Sequence, residues 1–451
     1  MRCLPKIIFI YLILVFITVP VTAQTTPPIT AIKAGRLIDP ETATVTTNQI
    51  ILVEGERIKA VGANIAIPSG ATIIDLSKLT VLPGLVDTHT HMALTYKEQP
   101  ENNYYYLTFV TDSTALRAIQ AASNGIQLLN SGFTVIRDVG NNAMYADTAL
   151  RQAIEQGWLP GPTVIPSGPI IGSTGGQFWP TPEMYKEHKL MFPEYIDADT
   201  PGEIVKAIRQ NMLLGARTIK LCIDCKPWGY SVDDIKLAIT EAAKGGCKVE
   251  GHVQTSDGAQ RAIDAGIYII AHGNALTPEH HRQMAEKGIF RAGTDTPFTK
   301  YRGSEAAFRQ TVAKLRDAWE KKVPLTFSTD FDYWNERMKS ETGEWLTRGE
   351  MTIAFLDTWT AANIPPADIL RAITINGYKA ADVIKERGPI KTGLFADLIA
   401  VSGDPLTDIN ALRDVQFVMK NGMVFKKDGV MTPEKFFHPG PVRTPNGRWT
   451  R

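Results

Sequence analysis

The sequence predicts an α/β protein that combines a (β/α)8 TIM barrel with a small β domain built from both chain ends. Short apolar strands alternate with amphipathic helices through residues 82–385, the pattern of a parallel sheet with crossover helices. Strand-like segments without a helical period flank this region, at residues 27–81 and 386–430. Polar residues suited to metal binding end several of the central strands. We therefore expect a metal-dependent barrel inserted into a smaller β domain, followed by a C-terminal tail at residues 431–451 to which no role is assigned.

The amino-terminal residues predict a secretory signal peptide at residues 1–23. Two cations precede a short apolar run at residues 7–19, and residues 21–23 form a small-residue cleavage site before Gln24. An uncleaved membrane anchor is the alternative, but Pro20 and the shortness of the run favour cleavage. The mature chain is therefore expected to be secreted or periplasmic, with no membrane span.

Composition excludes some classes of protein. The 451 residues carry a formal net charge of +1, so the chain lacks the basic surplus typical of a nucleic-acid-binding protein. The mature chain keeps three cysteines, which are too few for a disulfide scaffold. Cys222 and Cys225 form a lone C-x-x-C that fits a redox pair, half of a zinc site or two unrelated thiols. Because no second cysteine pair completes a structural site, we assign this pair no special role.

Eight candidate strands repeat along the central segment. They cover residues 82–87, 134–138, 163–167, 218–222, 248–252, 267–272, 288–292 and 325–330. Helices are predicted between them at residues 115–130, 203–214, 231–244, 258–265, 277–287 and 304–321. Ser231 and Thr277 are candidate N-caps, and Pro278 follows Thr277 at the first helical position. Eight strands fit a closed barrel better than an open doubly wound sheet, the alternative, because closure leaves no edge to protect.

Five of these strands end in potential metal ligands. In the segment VLPGLVDTHTH, the alternation of side chains along a strand places His89 and His91 on the same face. The other candidates are Lys220 in TIKLCID, His252 in VEGH, His272 in IIAH and Asp330 in LTFSTD. The carboxyl ends of barrel strands surround one active site, so these side chains should converge. Burying them together without a cation would be costly, and the sequence therefore predicts a metal site.

The remaining candidates are weaker because none ends a predicted strand. His188 lies in a polar connection, His280 and His281 are expected on a helix surface, and His438 lies in the Pro-rich tail. Asp295, in AGTDTP, also looks like a metal-binding aspartate, but Asp330 occupies the end of the eighth strand. We therefore select Asp330.

The ordered motifs resemble those of the metal-dependent amidohydrolase superfamily, in the branch of imidazolonepropionase-like and secreted Xaa-Pro dipeptidase (prolidase)-like enzymes. The matching segments are PGLVDTHTH, the IK of TIKLCID, EGHV followed by AIDAGIYIIAHG, STD, and TINGYKAADVIKERGPIKTGLFADLIAVSGDPL. The resemblance implies a (β/α)8 barrel with a small composite β-sandwich domain built from both chain ends. It also implies two divalent metal ions, with zinc expected. It assigns His89, His91 and Asp330 to one ion and His252 and His272 to the other. Lys220, converted by carbon dioxide to N6-carboxylysine, would bridge them; an ordinary Lys220 salt bridge and a one-metal enzyme are the alternative.

The resemblance also implies an activity on a small-molecule substrate. A metal-bound hydroxide would hydrolyse an amide bond of a dipeptide or an N-acyl amino acid, with Asp330 as the catalytic general base and then the general acid. Hydrolysis of a cyclic amide or a lactone is an alternative that the same centre would serve. A catalytically inactive binding protein on the same fold is a further alternative, which the retention of all six candidate ligands disfavours. The sequence does not decide the oligomeric state, and an oligomer is compatible with it.

Substrate contacts are sought in the loops that follow the strands. The segment GPIIGSTGGQFW has Gln177 where many members of the resembled family have a histidine, so their specificity does not transfer directly. Gln177, Trp179, Tyr230 and Arg291 are the candidate contacts, since an arginine or a tyrosine is suited to receiving a substrate carboxylate.

Overall fold

The computed structural model describes residues 28–97, 108–109, 111–140, 142–182, 194–297, 304–334, 339 and 342–432. The predicted signal peptide, His188, His438 and the tail beyond residue 432 lie outside these ranges. Among the helices that the described ranges contain, none is long and apolar enough to cross a membrane.

The strands of the described residues belong to two main groups, one at the chain ends and one in the middle. They are β1 (Ile29–Asp39), β2 (Thr44–Glu54), β3 (Arg57–Gly62), β4 (Thr72–Pro83), β5 (Leu85–Thr90), β6 (Tyr96–Lys97), β7 (Phe133–Asp138), β8 (Thr163–Pro166), β9 (Ile170–Gly172), β10 (Tyr195–Asp197), β11 (Thr218–Cys222), β12 (Lys248–Val253), β13 (Ile269–His272), β14 (Phe290–Ala292), β15 (Leu325–Thr326), β16 (Tyr333–Trp334), β17 (Leu398–Val401), β18 (Val415–Lys420), β19 (Met423–Lys427) and β20 (Val430–Met431).

Helices separate the strands of the middle group and follow the last of them. They are α1 (Thr114–Asn130), α2 (Ala146–Glu155), α3 (Pro201–Leu213), α4 (Val232–Lys244), α5 (Ser256–Ala265), α6 (Pro278–Lys287), α7 (Glu305–Glu320), α8 (Arg348–Ile353), α9 (Leu356–Ala361), α10 (Pro366–Arg371) and α11 (Gly377–Ala380), with a π-helical turn at Ala372–Asn376 and a 3-10 helix at Ile409–Arg413.

Both chain ends contribute to one mixed sheet of eight strands, in the order β20-β19-β18-β17-β4-β1-β2-β3. Its centre is β4, which pairs in parallel with β1 and antiparallel with β17, so that Leu82 faces Ile399 across the sheet. Ile32, Ile74 and Phe417 lie in an apolar cluster formed by strands from both ends. The arrangement is consistent with the composite β-sandwich domain that the sequence predicts.

The middle of the chain forms parallel sheets, which makes the protein an α/β fold. One sheet has the order β5-β7-β8, and another has the order β10-β9-β11-β12-β13-β14-β15. Backbone hydrogen bonds join them at both edges: Arg217 donates to Pro166, Thr88 donates to Phe327, and Asp330 donates to His89. These bonds bring the end of β15 against β5, an arrangement consistent with a (β/α)8 barrel.

The first strand of the barrel begins three residues later than predicted. Leu82 and Pro83 belong to the mixed sheet, and Gly84 separates β4 from β5. A Cβ atom at Gly84 would collide with the side chain of Thr134, so only glycine allows this close approach to β7. The chain therefore passes from one sheet to the other at Gly84 without a loop.

The N-caps predicted from the sequence are confirmed. The Ser231 side chain accepts a hydrogen bond from the backbone of Asp234 at the start of α4, and the Thr277 side chain accepts one from His280 at the start of α6. By contrast, α2 was not predicted, and it has no side-chain cap that could have marked its start. The three residues before α2, Ala143 to Tyr145, have left-handed backbones that no sequence pattern identified.

One prediction about the histidines of α6 is wrong. Both His280 and His281 are buried rather than lying on the helix surface. Nδ1 of His281 lies 2.5 Å from a carboxylate oxygen of Asp317 on α7, so this histidine joins two helices. The contact is structural and lies outside the cavity described next.

Candidate metal centre

The six predicted ligands line a single cavity of about 340 Å³ at the carboxyl ends of the parallel strands. His89, Lys220, His252 and His272 lie at or near the ends of β5, β11, β12 and β13. His91 follows β5 directly, and Asp330 lies four residues beyond β15. The structure therefore brings together side chains that are far apart in the sequence.

Asp330 lies at the centre of the cluster. One of its carboxylate oxygens is 2.8 Å from Nε2 of His91 and 3.6 Å from Nε2 of His89. The other oxygen is 3.6 Å from Nδ1 of His272. Asp330 and His272 both have left-handed backbones, with φ angles of 55° and 62°. This backbone conformation is energetically unfavourable for residues other than glycine, and such strain is concentrated at functional sites.

The imidazole rings form a continuous group. The ring centroid of His89 lies 5.2 Å from that of His91 and 4.9 Å from that of His272. The ring centroids of His252 and His272 are 4.4 Å apart. One donor atom from each of His89, His272 and Asp330 lies within 4.8 Å of the others. Donors at this separation can share one ion.

The protonation of the rings also suits a metal. Burial and the nearby positive charge of Lys220 lower the pKa of His89 to about 4 and that of His252 to about 3. Both rings are therefore neutral at pH 7, which is the form that binds metal. Nε2 of His89 is buried and has no hydrogen-bond partner among the described residues. A cation would satisfy this nitrogen, so the residues present fit a metal ion.

His91 differs from the other rings because it is paired with Asp330. Burial alone would lower the pKa of His91, but the hydrogen bond to Asp330 and the carboxylate charge raise it to about 9. The same pair holds the pKa of Asp330 below its usual value, against the effect of burial. On its other side, Nδ1 of His91 lies 2.7 Å from the carbonyl oxygen of Gly140, which fixes the ring. In the metal-free protein His91 is thus a cation at neutral pH.

This pairing predicts that metal binding releases a proton. At pH 8 the metal-free protein keeps His91 protonated, because its pKa of about 9 lies above that pH. Coordination through Nε2 requires the neutral ring, so zinc binding in carbon-dioxide-free buffer should release about one proton. The release should disappear as the pH rises above 9. Calorimetry in buffers of different ionisation enthalpy measures it, and an enthalpy independent of the buffer at pH 8 would contradict the prediction.

Sequence reasoning missed Glu250, which lies beneath the cluster. Its side chain is fully buried, with one oxygen 2.7 Å from Nζ of Lys220 and 2.9 Å from Nδ1 of His89. Its other oxygen pairs with Arg137. These positive charges keep the pKa of Glu250 well below its usual value despite burial. Glu250 therefore positions two predicted ligands at once and directs Nε2 of His89 into the cavity.

Glu250→Gln should destabilise the protein strongly. The change leaves Arg137 and Lys220 buried without a counter-charge, and breaking a buried pair in this way costs about 3–5 kcal/mol. Urea denaturation of the metal-free protein measures the free energy of unfolding. Glu241→Gln is the matched control, because Glu241 pairs with exposed side chains of Arg209 and Lys244 and should change it by less than about 1 kcal/mol. Equal effects of the two variants would refute the role of Glu250.

The substrate candidates divide into those that line the cavity and those that do not. Gln177 and Arg291 line it, and the amide nitrogen of Gln177 lies 3.1 Å from both ring nitrogens of His252. Tyr230 is instead buried in the core, where its hydroxyl donates to the carbonyl of Ala198, so it is not among the lining residues. Trp179 is largely exposed and is not among them either.

The charges of the cavity wall modify the role predicted for Arg291. Its guanidinium donates to both carboxylate oxygens of Asp295, at 2.8 and 2.9 Å, so this aspartate holds Arg291 rather than joining the imidazoles. Lys314 on α7 also lines the cavity, and its ammonium donates to the carbonyl of Asn274 at 2.7 Å. An ammonium has three donors, so Lys314 offers a second positive group that sequence reasoning did not identify.

Cys222 and Cys225 have a closer relation to the cluster than the sequence indicated. They form a disulfide, with Cα atoms 5.6 Å apart, rather than two unrelated thiols. The sulfur atoms lie within 4.8 Å of a ring nitrogen of His252. As long as the disulfide is intact, these sulfurs are not thiolate ligands.

Comparison with known proteins agrees with this geometry. The family model described as "Amidohydrolase family" matches residues 80–425. The chain belongs to the amidohydrolase family. The match covers all six candidate ligands as well as β17 and β18 of the mixed sheet, so the resemblance inferred from the motifs is confirmed.

Members of the amidohydrolase family that resemble this chain carry several names. The chain is 26% identical to ochratoxinase from Aspergillus niger, over 89% of this chain and 88% of that protein. It is 24% identical to imidazolonepropionase from Alkaliphilus metalliredigens, over 84% of this chain and 90% of that protein. Among solved structures, a Xaa-Pro dipeptidase with methionine bound in its active site matches 88% of this chain and 100% of its own, at 25% identity and a TM-score of 0.73. The chain is thus an amidohydrolase-family hydrolase that acts on carbon–nitrogen bonds.

Proposed function

We propose that this protein hydrolyses an amide bond of a dipeptide or an N-acyl amino acid at a centre of two divalent metal ions, most suitably zinc. The observation that carries the proposal is the position of Asp330, whose carboxylate lies within 3.6 Å of nitrogens on three imidazoles and in the same cavity as Lys220. His89, His91 and Asp330 would hold one ion, and His252 and His272 the other. When bound, such ions polarise a carbonyl and lower the pKa of water.

Lys220 would join the two ions as a carbamate. Burial lowers the pKa of Lys220, which favours the neutral amine that attacks carbon dioxide. In that reaction the amine nitrogen bonds to the carbon of carbon dioxide and loses one proton, leaving a carbamate anion with two oxygens. The remaining N–H can still donate to Glu250, whose oxygen lies 2.7 Å from Nζ. The ion pair seen between Lys220 and Glu250 is therefore compatible with carboxylation.

Asp330 would move the proton during hydrolysis. Its side chain is partly exposed to the cavity, and its depressed pKa keeps it ionised when substrate enters. A carboxylate oxygen of Asp330 accepts a proton from the attacking water and then donates it to the amide nitrogen as the C–N bond breaks. The product amine and the product carboxylate leave with atoms balanced and without a covalent enzyme intermediate.

The cavity wall supports an anionic substrate. Lys314 and Arg291 both line the cavity, and because Arg291 is already paired with Asp295, Lys314 is the group whose positive charge best matches a substrate carboxylate. Gln177 and Gln254 both place an amide nitrogen near His252, at 3.1 and 3.0 Å, and would orient the acyl group. These contacts favour an amino acid with a free carboxylate as the leaving group.

The test is a substrate screen on zinc-loaded protein. The library contains dipeptides, N-acyl amino acids, cyclic amides and lactones, with the Asp330→Asn variant as the matched inactive control. Hydrolysis of linear amides with a free carboxylate is the expected result. Preferential opening of cyclic amides would instead support the alternative function, hydrolysis of a cyclic amide or a lactone, which the similarity to imidazolonepropionase favours. A bound metal content below about one per chain, without hydrolysis on added zinc, would indicate a binding protein instead.

We also propose that the mature chain is secreted or periplasmic after cleavage of residues 1–23. Amino-terminal sequencing of the protein recovered from outside the cytoplasm should begin at Gln24. A full-length chain retained in a membrane fraction would refute cleavage.

A further inference from the structure

A second cavity, of about 410 Å³, lies between the barrel and the mixed sheet. Its walls include the end of α2, the loop before β8 and the turn between β18 and β19. Because Thr163 begins β8, the cavity is at the amino ends of the barrel strands, opposite the imidazole cluster. The two cavities share no lining residue, so a ligand of the second cavity would bind independently of the proposed catalytic function.

The charged groups inside this cavity are cations. Arg151, Arg387 and Lys420 line it with at most 6% of each residue exposed. The carboxylates that line it, Glu56 and Glu155, are exposed, where water screens their charges. The interior of the cavity is therefore positive, while its mouth carries the acidic groups.

The two arginines are paired directly with carboxylates, whereas no described residue makes a direct ion pair with Lys420. Arg387 pairs with the buried Asp397, and Arg151 lies 3.3 Å from Glu155. In the part of the chain that the structure describes, the ammonium of Lys420 makes no hydrogen bond and no ion pair, although the residue is only 6% exposed. Nε of Arg151 is also buried without a hydrogen-bond partner. The carboxylates of Asp397, Glu155 and Glu56 act on Lys420 only from a distance, so an anion inside the cavity would give this largely buried ammonium the direct partner that it lacks.

The remaining walls are apolar. Ile154, Leu159 and Phe425 line the cavity together with several prolines and glycines. A cavity of this size accepts a small organic molecule, and its mixture of apolar wall and few polar groups is typical of ligand sites. An inorganic anion would leave the apolar wall without contacts.

We propose that this cavity binds a small organic monocarboxylate, whose carboxylate accepts hydrogen bonds from Lys420 and Arg151 and whose apolar part packs against Ile154, Leu159 and Phe425. The site is separate from the catalytic cavity and holds its ligand between the mixed sheet and the barrel. Lys420→Met removes the ammonium and keeps the length of the side chain.

Benzoate is the probe, and its binding to the zinc-loaded full-length protein is measured by calorimetry. Saturable binding is expected, with at least a tenfold loss of affinity in Lys420→Met. Benzamide, the neutral analogue, should bind at least tenfold more weakly than benzoate. Lys379→Met is the matched control, because Lys379 is a cation of α11 paired with Glu41, and it should bind benzoate as the parent does. Equal affinity of the parent and Lys420→Met, or equal binding of benzamide, overturns the proposal.

Two further readouts locate the site and test folding. Without probe, Lys420→Met should melt at a higher temperature than the parent, since it removes a largely buried ammonium that forms no direct ion pair with the described residues. Crystals of the parent soaked in 4-bromobenzoate should show the anomalous bromine signal beside Phe425. A bromine beside His252 alone places the carboxylate at the catalytic cavity and overturns the proposal, whether or not the variant folds.

Discussion

Asp330→Asn should lower kcat by roughly 10³-fold or more, because general acid–base catalysis alone contributes about 10²- to 10⁴-fold. The variant keeps the size of the side chain but cannot accept a proton from water. It also removes the charge that lies 2.8 Å from His91, so the raised pKa of His91 should fall. Steady-state kinetics on the substrate found in the screen measures kcat, and titration of His91 by NMR in metal-free protein measures the pKa.

Asp295→Asn is the matched control for this variant. Both aspartates line the cavity, but the carboxylate of Asp295 is held by Arg291. We expect Asp295→Asn to keep its metal content and to retain kcat within about tenfold of the parent, with any loss in KM. A larger loss of kcat in Asp295→Asn than in Asp330→Asn would reverse the assignment of the two residues.

Lys220→Ala should lose one of two bound metals and reduce kcat/KM by roughly 100-fold or more, since second metals stabilise the attacking and leaving groups together. The variant removes the amine that would form the bridging carbamate. A short carboxylic acid, such as acetate, fits the space left by the side chain and should restore part of both metal content and activity. Elemental analysis of dialysed protein and kinetics with increasing acetate measure the two effects.

Lys314→Ala controls for the loss of a positive charge from the same cavity. Lys314 lines the cavity but contacts the carbonyl of Asn274 rather than Glu250. It should keep both metals, show a higher KM and gain nothing from acetate. Unchanged metal content in Lys220→Ala would count against a carbamate and favour the ordinary Lys220–Glu250 ion pair.

Most of the ligands were predictable because they end apolar runs, whereas Lys220 lies inside β11 and is followed by Leu221 and Cys222. A strand must turn from core to solvent at its end, so a polar residue there is visible in the sequence, as with His252 after VEG and His272 after IIA. The order of strands then separated Asp330 from Asp295 without knowledge of any distance. The alternation that placed His89 and His91 together is equally local.

Residues deeper in the barrel were harder to predict. Glu250 lies two residues before His252 on the same face of β12, so the same alternation could have identified it. Its partner Arg137 comes from another strand, however, and no local pattern shows that the charges meet. The prediction that Tyr230 contacts substrate was wrong for a related reason. Its hydroxyl donates to the carbonyl of Ala198, and no local pattern shows this contact between distant segments.

Because β4 lies between β1 and β17, the mixed sheet cannot be completed until the end of the chain has been synthesised. β4 ends at Pro83, but its partner β17 begins only at Leu398, so nearly the whole barrel emerges from the ribosome first. Until then one edge of a long strand rich in apolar residues lacks its neighbour, and such an edge promotes aggregation. Nascent chains truncated before β17 should therefore depend on chaperones. The amino-terminal strands can complete their native sheet only when the last strands have been synthesised.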